Sequence, residues 1–211
     1  MTKDYNILIP DIGIGNIRSL SRAILYEKEF TYKLIITKNP SDITSNSCVV
    51  FPGVGNYGEV MNRLINTGWE LALKKHINKG GIFIGICVGF QILFKGSEES
   101  NSEKGLDLFN HKIWKLKDFN YLPVIGYHDV FSKNEKKMGK FYFIHSFGIE
   151  ITEKILKEIS QFEYYYYCYK NKKILAGIKN KNFIGLQFHP EKSKTSGINF
   201  LNNIIKKMGV K

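Results

Sequence analysis

The stretch Gly81–Gln91 reads GIFIGICVGFQ, and this stretch decides the fold. It opens with a wholly apolar run, Gly81–Ile86, which has the length of a buried strand, and Val88–Phe94 is predicted to continue as a helix. Cys87 stands between the two in the pattern Gly-x-Cys-x-Gly, the cysteine form of a nucleophile elbow. A helix amino terminus favours thiolate over thiol, and thiolate is the nucleophile. A buried structural cysteine in a glycine-rich turn is the alternative.

The first half of the chain alternates short apolar runs with amphipathic segments. Further strands are predicted at Asn6–Pro10, Tyr32–Thr37 and Cys48–Phe51. Helices are predicted at Asn16–Lys28, Gly58–Asn66 and Trp69–Asn78. Uniformly apolar strands that alternate with helices are typical of a parallel sheet covered on both faces.

The pattern changes after about residue 105, where β-rich segments follow one another without long helices. These segments are His111–Leu116, Val124–Val130, Lys140–Phe147, Tyr164–Lys170, Lys173–Lys179 and Asn182–Phe188, and a closing helix is predicted at Gly197–Met208. We therefore predict an α/β fold with an open, mostly parallel sheet, helices on both faces, and antiparallel strands that extend the sheet in the C-terminal half. No linker or repeat interrupts residues 1–211, so a single domain is expected.

The composition is that of an ordinary globular protein, with 43% hydrophobic and 24% charged residues. No apolar run approaches the roughly 20 residues that span a membrane, and the N-terminus lacks the pattern of a signal peptide. Three widely spaced cysteines do not form a disulfide framework, and no cluster of Cys and His predicts a zinc site. We expect a cytoplasmic protein without a membrane segment.

The formal net charge of +12 raises the possibility of nucleic-acid binding. The basic residues are scattered lysines with only three arginines, whereas arginine is favoured for bidentate contacts to phosphate and guanine. A solvated basic surface that suits an acidic partner or an anionic substrate is therefore the better interpretation.

A second motif lies near the C-terminus, where Gln187–Ser193 reads QFHPEKS. A nucleophilic thiol needs a base beside it and a group that orients the base. In an extended segment, His189 and Glu191 point the same way, so the carboxylate could hold the imidazole in its productive tautomer. A lone structural histidine is the alternative.

A third motif, PGVGNYG at Pro52–Gly58, follows the third predicted strand. Ligand sites in open parallel sheets lie beyond the carboxyl ends of the strands, where this loop and the elbow would meet. Backbone N–H groups of Gly53 or Val54, together with that of Val88, could bind an oxyanion. A phosphate-binding loop is a weak rival because no Gly-Lys-Ser/Thr or GxGxxG pattern is present. The N-terminal sequence Gly-Ile-Gly before Asn16 has the same rival, or is a turn with Asn16 as a helix N-cap.

With these motifs in view, the chain resembles the class I (triad) glutamine amidotransferases. GICVGFQ is similar to the nucleophile motif of that family, and QFHPEKS is similar to its His/Glu motif. Within the family, PGVGNYG, DIGIGNIRSL and FYFIHSF (Phe141–Phe147) resemble the glutaminase subunits of imidazole glycerol phosphate synthase, usually called HisH. The resemblance covers nearly the whole chain.

The resemblance implies a reaction and a catalytic triad. Cys87 would attack the side-chain amide of L-glutamine, His189 would protonate the departing ammonia, and Glu191 would orient His189. The γ-glutamyl thioester on Cys87 would then be hydrolysed to glutamate. No metal or organic cofactor is implied, because the thiolate does the covalent work.

The resemblance also implies binding residues. Gln91 matches a position that helps to hold glutamine, and backbone groups of Ser146 and Phe147 match the segment that holds its amino-acid end. Gly53 and Val54 match the loop whose peptide turns inward to form the oxyanion hole when the partner is engaged.

The implied partner is a (β/α)8-barrel cyclase subunit (HisF-like) in a heterodimer. Ammonia would pass through the barrel to a ribonucleotide (PRFAR) and yield imidazole glycerol phosphate and AICAR in histidine biosynthesis. Asn16 and Lys192 match positions near the interface, and Tyr127 stands where the family carries a partner-facing Trp. Channelling suits the chemistry, since free ammonia at neutral pH is mostly protonated and no longer nucleophilic.

The chain departs from the family pattern at the edge of one predicted strand. The family sequence Pro-His-Met-Gly-Trp-Asn becomes Pro-Val-Ile-Gly-Tyr-His at Pro123–His128, and the N-terminal Asp-Tyr-Gly becomes Asp-Ile-Gly. These changes leave an alternative open, a related subunit that supplies ammonia for amidation of a surface-polysaccharide sugar.

Two further hypotheses are a cysteine peptidase of related fold and a catalytically silent binding module. Gln91 and the full PGVG loop disfavour the first, and the intact set of Cys, His and Glu disfavours the second.

Overall fold

The computed structural model describes residues 5–26, 32–117 and 119–208. Its strands are β1 Asn6–Pro10, β2 Lys33–Thr37, β3 Ser47–Phe51, β4 Ile82–Ile86, β5 Phe94–Ser97, β6 Ser100–Lys104, β7 Phe109–Lys115, β8 Val124–Ser132, β9 Lys137–His145, β10 Phe147–Gly148, β11 Glu163–Tyr169, β12 Lys172–Lys179 and β13 Phe183–Leu186. Its helices are α1 Ile17–Ile24, α2 Tyr57–Asn66, α3 Trp69–Asn78, α4 Val88–Gln91, α5 Glu153–Ile159 and α6 Lys194–Lys207. Single 3₁₀ turns lie at Pro40–Asp42 and Pro190–Lys192.

A nine-stranded sheet with the order β2-β1-β3-β4-β13-β12-β11-β8-β9 forms the centre of the molecule. The first five strands pair in parallel, and the remaining four extend the sheet by antiparallel pairing. Every residue of β3, β4 and β13 is buried. Successive strand residues point to opposite faces, so both faces of this part of the sheet are covered. The predicted α/β class is confirmed.

Five of the six helices in the described ranges form two groups around the sheet. Helix α1 packs against α6, where the buried side chain of Asn202 donates to the carbonyl of Ala23 at 3.0 Å. Helices α2, α3 and α4 form the second group, and α4 contacts β4 and β13. A smaller sheet with the order β10-β7-β5-β6 lies beside them. No helix within the described ranges is long and apolar enough to cross a membrane.

Two predicted helices end earlier than expected. The helix predicted at Val88–Phe94 ends at Gln91, because the carbonyl of Ile92 accepts a hydrogen bond from Leu106 at 2.6 Å and the chain turns into β5. The Phe94 ring stacks on Phe109 at 5.0 Å, and this tertiary contact outweighs the local helical pattern. The helix predicted at Asn16–Lys28 ends at Ile24, and its last two predicted residues lie outside the described part of the chain.

Candidate active site

Three neighbouring parallel strands, β3, β4 and β13, bring the sequence motifs to one edge of the sheet. Ile86 at the end of β4 is in register with Leu186 at the end of β13. Phe51 at the end of β3 pairs with Gly85 of β4. The loop after β3, the elbow after β4 and the His/Glu motif after β13 therefore meet at the carboxyl ends of these strands, as predicted.

Cys87 occupies the sharp turn between β4 and α4. Its φ is +54°, a backbone conformation that side-chain-bearing residues rarely adopt, and its amide donates to the carbonyl of Leu186 at 2.7 Å. A Cβ on Gly53 would lie 2.5 Å from the amide nitrogens of Val88 and Gly89, and one on Gly89 would lie 2.6 Å from the carbonyl of Phe51. These two glycines are required because the backbone of β3 and its loop lies directly against the elbow.

The side chains of His189 and Glu191 are joined by a hydrogen bond of 2.7 Å between Nδ1 and Oε1. Both side chains are almost completely buried, at 1% and 5% exposure. Strand β9 holds the segment, since His189 N–H donates to the carbonyl of Tyr142 at 2.8 Å and Tyr142 N–H donates to Ser193 Oγ at 2.9 Å. The expected contact is present, although Pro190–Lys192 forms a 3₁₀ turn and not the extended segment we predicted.

The electrostatics of His189 favour its charged form. Burial lowers the pKa of the imidazole, but the neighbouring Cys87 side chain and the Glu191 carboxylate outweigh burial and raise that pKa to about 10. By distance and angle, Nε2 has no hydrogen-bond partner among the described residues. We therefore attribute the influence of Cys87 to its proximity and not to a formed hydrogen bond. With Nδ1 donating to Glu191, Nε2 is the ring nitrogen left able to exchange a proton.

A cavity of about 170 Å³ opens beside Cys87. Of the predicted site residues, Val88, Gln91, Ser146 and Phe147 line it together with Cys87. A larger cavity of about 510 Å³, near Trp114 and α5, contains none of the predicted site residues. We assign the site to the smaller cavity because it contains the nucleophile candidate.

The loop after β3 reaches the cavity through a different residue from the two that we predicted. Gly53 packs against the elbow, and Val54 is 39% exposed, but neither lines the cavity. Gly55 lines the cavity instead, with a φ of +129°. The oxyanion role of Gly53 or Val54 remains a prediction.

A hydrogen-bond network fixes the segment that carries Ser146 and Phe147. The carbonyl of Phe147 accepts from Gln91 Nε2 at 3.2 Å and from His145 Nδ1 at 2.8 Å. Because a carbonyl only accepts, His145 carries its proton on Nδ1, and its Nε2 accepts from the Tyr167 hydroxyl at 3.2 Å. Burial lowers the pKa of His145 to about 4, so this ring is neutral at pH 7.

Glu99 and Gln187 are polar residues of the site that were not singled out from the sequence. Glu99 lies in the tight connection between β5 and β6, lines the cavity, and accepts from the amide of Tyr57 at 2.8 Å. Gln187 is fully buried beside Cys87. No local pattern indicates Glu99, but Gln187 begins the His/Glu motif and follows a buried strand next to β4, which is a usable signal.

The three residues predicted to face a partner lie near the same edge of the sheet. Asn16 is exposed and caps α1, with its side chain accepting from the amide of Ser19 at 3.1 Å. The Tyr127 hydroxyl donates to the carbonyl of Lys192 at 3.0 Å, and Tyr127 is 40% exposed. The N-cap interpretation of Asn16 is therefore confirmed, and the interface roles remain predictions.

Within the described residues, no group of three or more His, Cys, Asp or Glu could hold a metal ion.

Comparison with known proteins gives a consistent result. The family model for glutamine amidotransferase class-I matches residues 8–208. The chain is 35% identical over 205 residues to imidazole glycerol phosphate synthase subunit HisH of Pyrococcus furiosus, covering 93% of this chain and 96% of that protein. It is 33% identical to the subunit HisH of Staphylococcus epidermidis over 200 residues, covering 95% and 96% of the two chains.

One further relative and one solved structure extend this result. The chain is 36% identical over 204 residues to imidazole glycerol phosphate synthase hisHF of Schizosaccharomyces pombe, covering 92% of this chain but only 37% of that protein. A solved structure described as a glutamine amidotransferase superposes with a TM-score of 0.73 at 14% identity, covering 97% of this chain and 99% of that one. At that identity, the superposition supports the fold alone.

Proposed function

Because the chain belongs to the class I glutamine amidotransferase family, we propose that it is the glutaminase subunit of an imidazole glycerol phosphate synthase in histidine biosynthesis. It hydrolyses L-glutamine to glutamate and passes the ammonia to a cyclase. The observation that carries the proposal is the buried pair of His189 and Glu191, joined at 2.7 Å, beside a cysteine in a nucleophile elbow. The HisH relatives favour this function over the supply of ammonia to a polysaccharide sugar.

The proposed reaction begins when the thiolate of Cys87 attacks the side-chain amide carbon of glutamine. The C–N bond breaks, and the leaving nitrogen takes a proton from Nε2 of His189 and departs as ammonia. Water then attacks the γ-glutamyl thioester with His189 as base, the C–S bond breaks, and glutamate leaves. Glu191 keeps the imidazole oriented and stabilises its charged form.

The cavity suits an α-amino acid. Glu99 lines it, and its carboxylate is opposite in charge to the ammonium group of glutamine, while Ser146 and Phe147 line it as well. The carbonyls of Ser146 and Phe147 are already hydrogen bonded to Leu116 and to Gln91 and His145. We propose that Glu99 binds the ammonium group and that the amide of Val88 binds the oxyanion.

The partner is a HisF-like (β/α)8-barrel cyclase, and we propose that it docks on the outer face of β8 and β9. Ile125 and Ile144 are cross-strand partners there, at 58% and 37% exposure, and Tyr127 follows on the same face. Ile144 also lines the cavity, so a partner on this surface would cover the cavity mouth. The proposal includes a cytoplasmic location, where Cys87 would stay reduced.

The test measures glutamate released from glutamine by this chain alone, with the histidine-pathway cyclase of the same genome, and with cyclase plus ribonucleotide. We expect release to be strongly stimulated in the complete mixture. Absence of glutamate release in that mixture would contradict the proposal. Hydrolysis of peptides in place of glutamine would support a peptidase instead.

A further inference from the structure

Gln187 occupies the position beside the nucleophile on the neighbouring parallel strand. It directly follows Leu186, as Cys87 directly follows Ile86, and these two preceding residues are in register. Gln187 is fully buried, and its Nε2 lies 3.6 Å from Sγ of Cys87, which is within hydrogen-bond distance for sulfur. The strand register therefore fixes this contact.

The orientation of the Gln187 amide follows from a backbone carbonyl. Amide nitrogen and oxygen are otherwise hard to distinguish, but the carbonyl of Phe147 can only accept, so the atom of Gln91 that lies 3.2 Å away is Nε2. The same Nε2 lies 3.1 Å from Gln187, and the atom it meets is therefore the acceptor Oε1. Gln187 consequently presents its NH₂ group to the sulfur.

We propose that Gln187 is a further catalytic residue, whose side-chain amide donates to the sulfur of Cys87 and stabilises the thiolate. The inference rests on the proposed glutaminase function. The thiolate is needed twice: when it attacks the amide carbon and ammonia leaves with a proton from His189, and when the C–S bond of the thioester breaks and glutamate departs. A donor already in place at the sulfur favours the charged form at both points.

Some of the other titratable groups around Cys87 favour its thiolate form, and others disfavour it. The imidazolium form of His189 favours the thiolate, while Glu191 acts through His189. Glu99 lines the same cavity, where a carboxylate opposes a thiolate, and His145 is neutral at pH 7. The Gln187 amide carries no charge, so its contribution persists across the pH range in which these groups titrate.

Gln187→Glu tests the proposal because it keeps the oxygen that accepts from Gln91 and replaces the NH₂ group by an oxygen. Gln187→Met is measured beside it, because it removes the NH₂ donor without placing a charge next to the sulfur. Alkylation of Cys87 by iodoacetamide is followed against pH by mass spectrometry of the Cys87 peptide. We expect the midpoint to rise by about one pH unit or more and kcat for glutamine to fall about tenfold or more at unchanged KM. The matched control is Gln161→Glu, an exposed glutamine on the surface, which should leave both unchanged.

A second measurement uses the unaltered chain and does not depend on the folding of the variant. The side-chain amide proton resonances of Gln187 should move as Cys87 ionises, and alkylation of Cys87 should abolish this titration. Resonances that do not respond to Cys87, or a folded Gln187→Glu variant with the wild-type midpoint, would overturn the inference. Alkylation needs no glutamine turnover, so failure of the glutaminase function itself would appear separately, as an inactive wild-type complex.

Discussion

At the scale of single residues, His189 and Glu191 form a buried, hydrogen-bonded pair from positions only two apart in the sequence. Proline and a 3₁₀ turn fold the chain back so that the carboxylate reaches Nδ1, and β9 holds the backbone on the other side. The residue types and their spacing predict this pair. Glu99 cannot be predicted in the same way, because only the connection between β5 and β6 brings it to the cavity.

The first prediction concerns the nucleophile. Cys87→Ala should lower glutamine turnover by more than about 10⁴-fold, because the covalent thioester can no longer form. Glutamate release in the presence of the cyclase is the measurement. Cys168→Ala is the matched control, since Cys168 is exposed on β11, and it should retain wild-type turnover. Substantial turnover in Cys87→Ala would rule out the thioester mechanism.

The second prediction concerns the pH dependence of stability. The folded-state pKa of His189 is raised to about 10, so His189 contributes stability that is fully present below its ordinary value near 6.5 and is lost as pH rises through 10. Glu191→Gln should remove part of this contribution and lower kcat by about 10²–10⁴-fold. The difference in free energy of unfolding between wild type and variant, measured in urea, should therefore shrink from pH 6.5 to pH 10.

The control for this measurement is Glu135→Gln, a carboxylate that is 74% exposed. Its unfolding free energy should differ little from wild type across the same range, because exposed ion pairs contribute little. A Glu191→Gln difference that grows with pH would mean that Glu191 does not raise the pKa of His189.

At the scale of elements, the parallel strands and the elbow follow from the sequence, but the ends of two helices do not. The apolar run before Cys87 has no polar alternation, and it forms a strand buried on both faces, as predicted. The segment after Gln91 is equally apolar, and its pattern does not distinguish helix from strand. Pairing of β5 with β7 and the stacking of Phe94 on Phe109 decide its structure, and these contacts are distant in sequence.

The third prediction concerns the contact between the loop after β3 and the elbow. Gly53→Ala should push the loop from the elbow, since the new Cβ would lie 2.5 Å from the amide nitrogen of Val88. We expect a loss of about 1–3 kcal/mol in unfolding free energy and a changed rate of Cys87 alkylation. Gly80→Ala is the control. Gly80 lies before β4, at the end away from the elbow, and a Cβ there would have no neighbour within 4 Å. Its φ of +81° nevertheless disfavours alanine. It should lose stability without changing the alkylation rate.

At the scale of the whole molecule, the apolar surface of β8 and β9 lies beside the mouth of the cavity. Strand β9 is the edge strand at one end of the nine-stranded sheet, and β8 is its neighbour. Ile125, Tyr127 and Ile144 are exposed on the outer face of these two strands. The sequence predicted antiparallel strands in this half but not which strand forms the edge, because strand order depends on pairing between distant segments. Only the resemblance to the family pointed to Tyr127 as a partner residue.

The fourth prediction tests this surface. Ile125→Asp should weaken association with the cyclase by at least about tenfold, because the interface would bury an unpaired charge. Titration calorimetry with the cyclase is the measurement. Leu71→Asp is the matched control, an apolar residue on α3 that is 72% exposed, and it should bind as wild type does. Equal binding by Ile125→Asp would place the partner elsewhere.

The most direct test of the proposed function follows the nitrogen atom. The chain, the cyclase and the ribonucleotide are supplied with glutamine that carries ¹⁵N in its side-chain amide, in a buffer that contains unlabelled ammonium, and the imidazole product is analysed by mass spectrometry. We predict that imidazole glycerol phosphate carries ¹⁵N and that the Cys87→Ala subunit yields only unlabelled product. Unlabelled product from the wild-type complex would contradict ammonia transfer from this subunit to the cyclase.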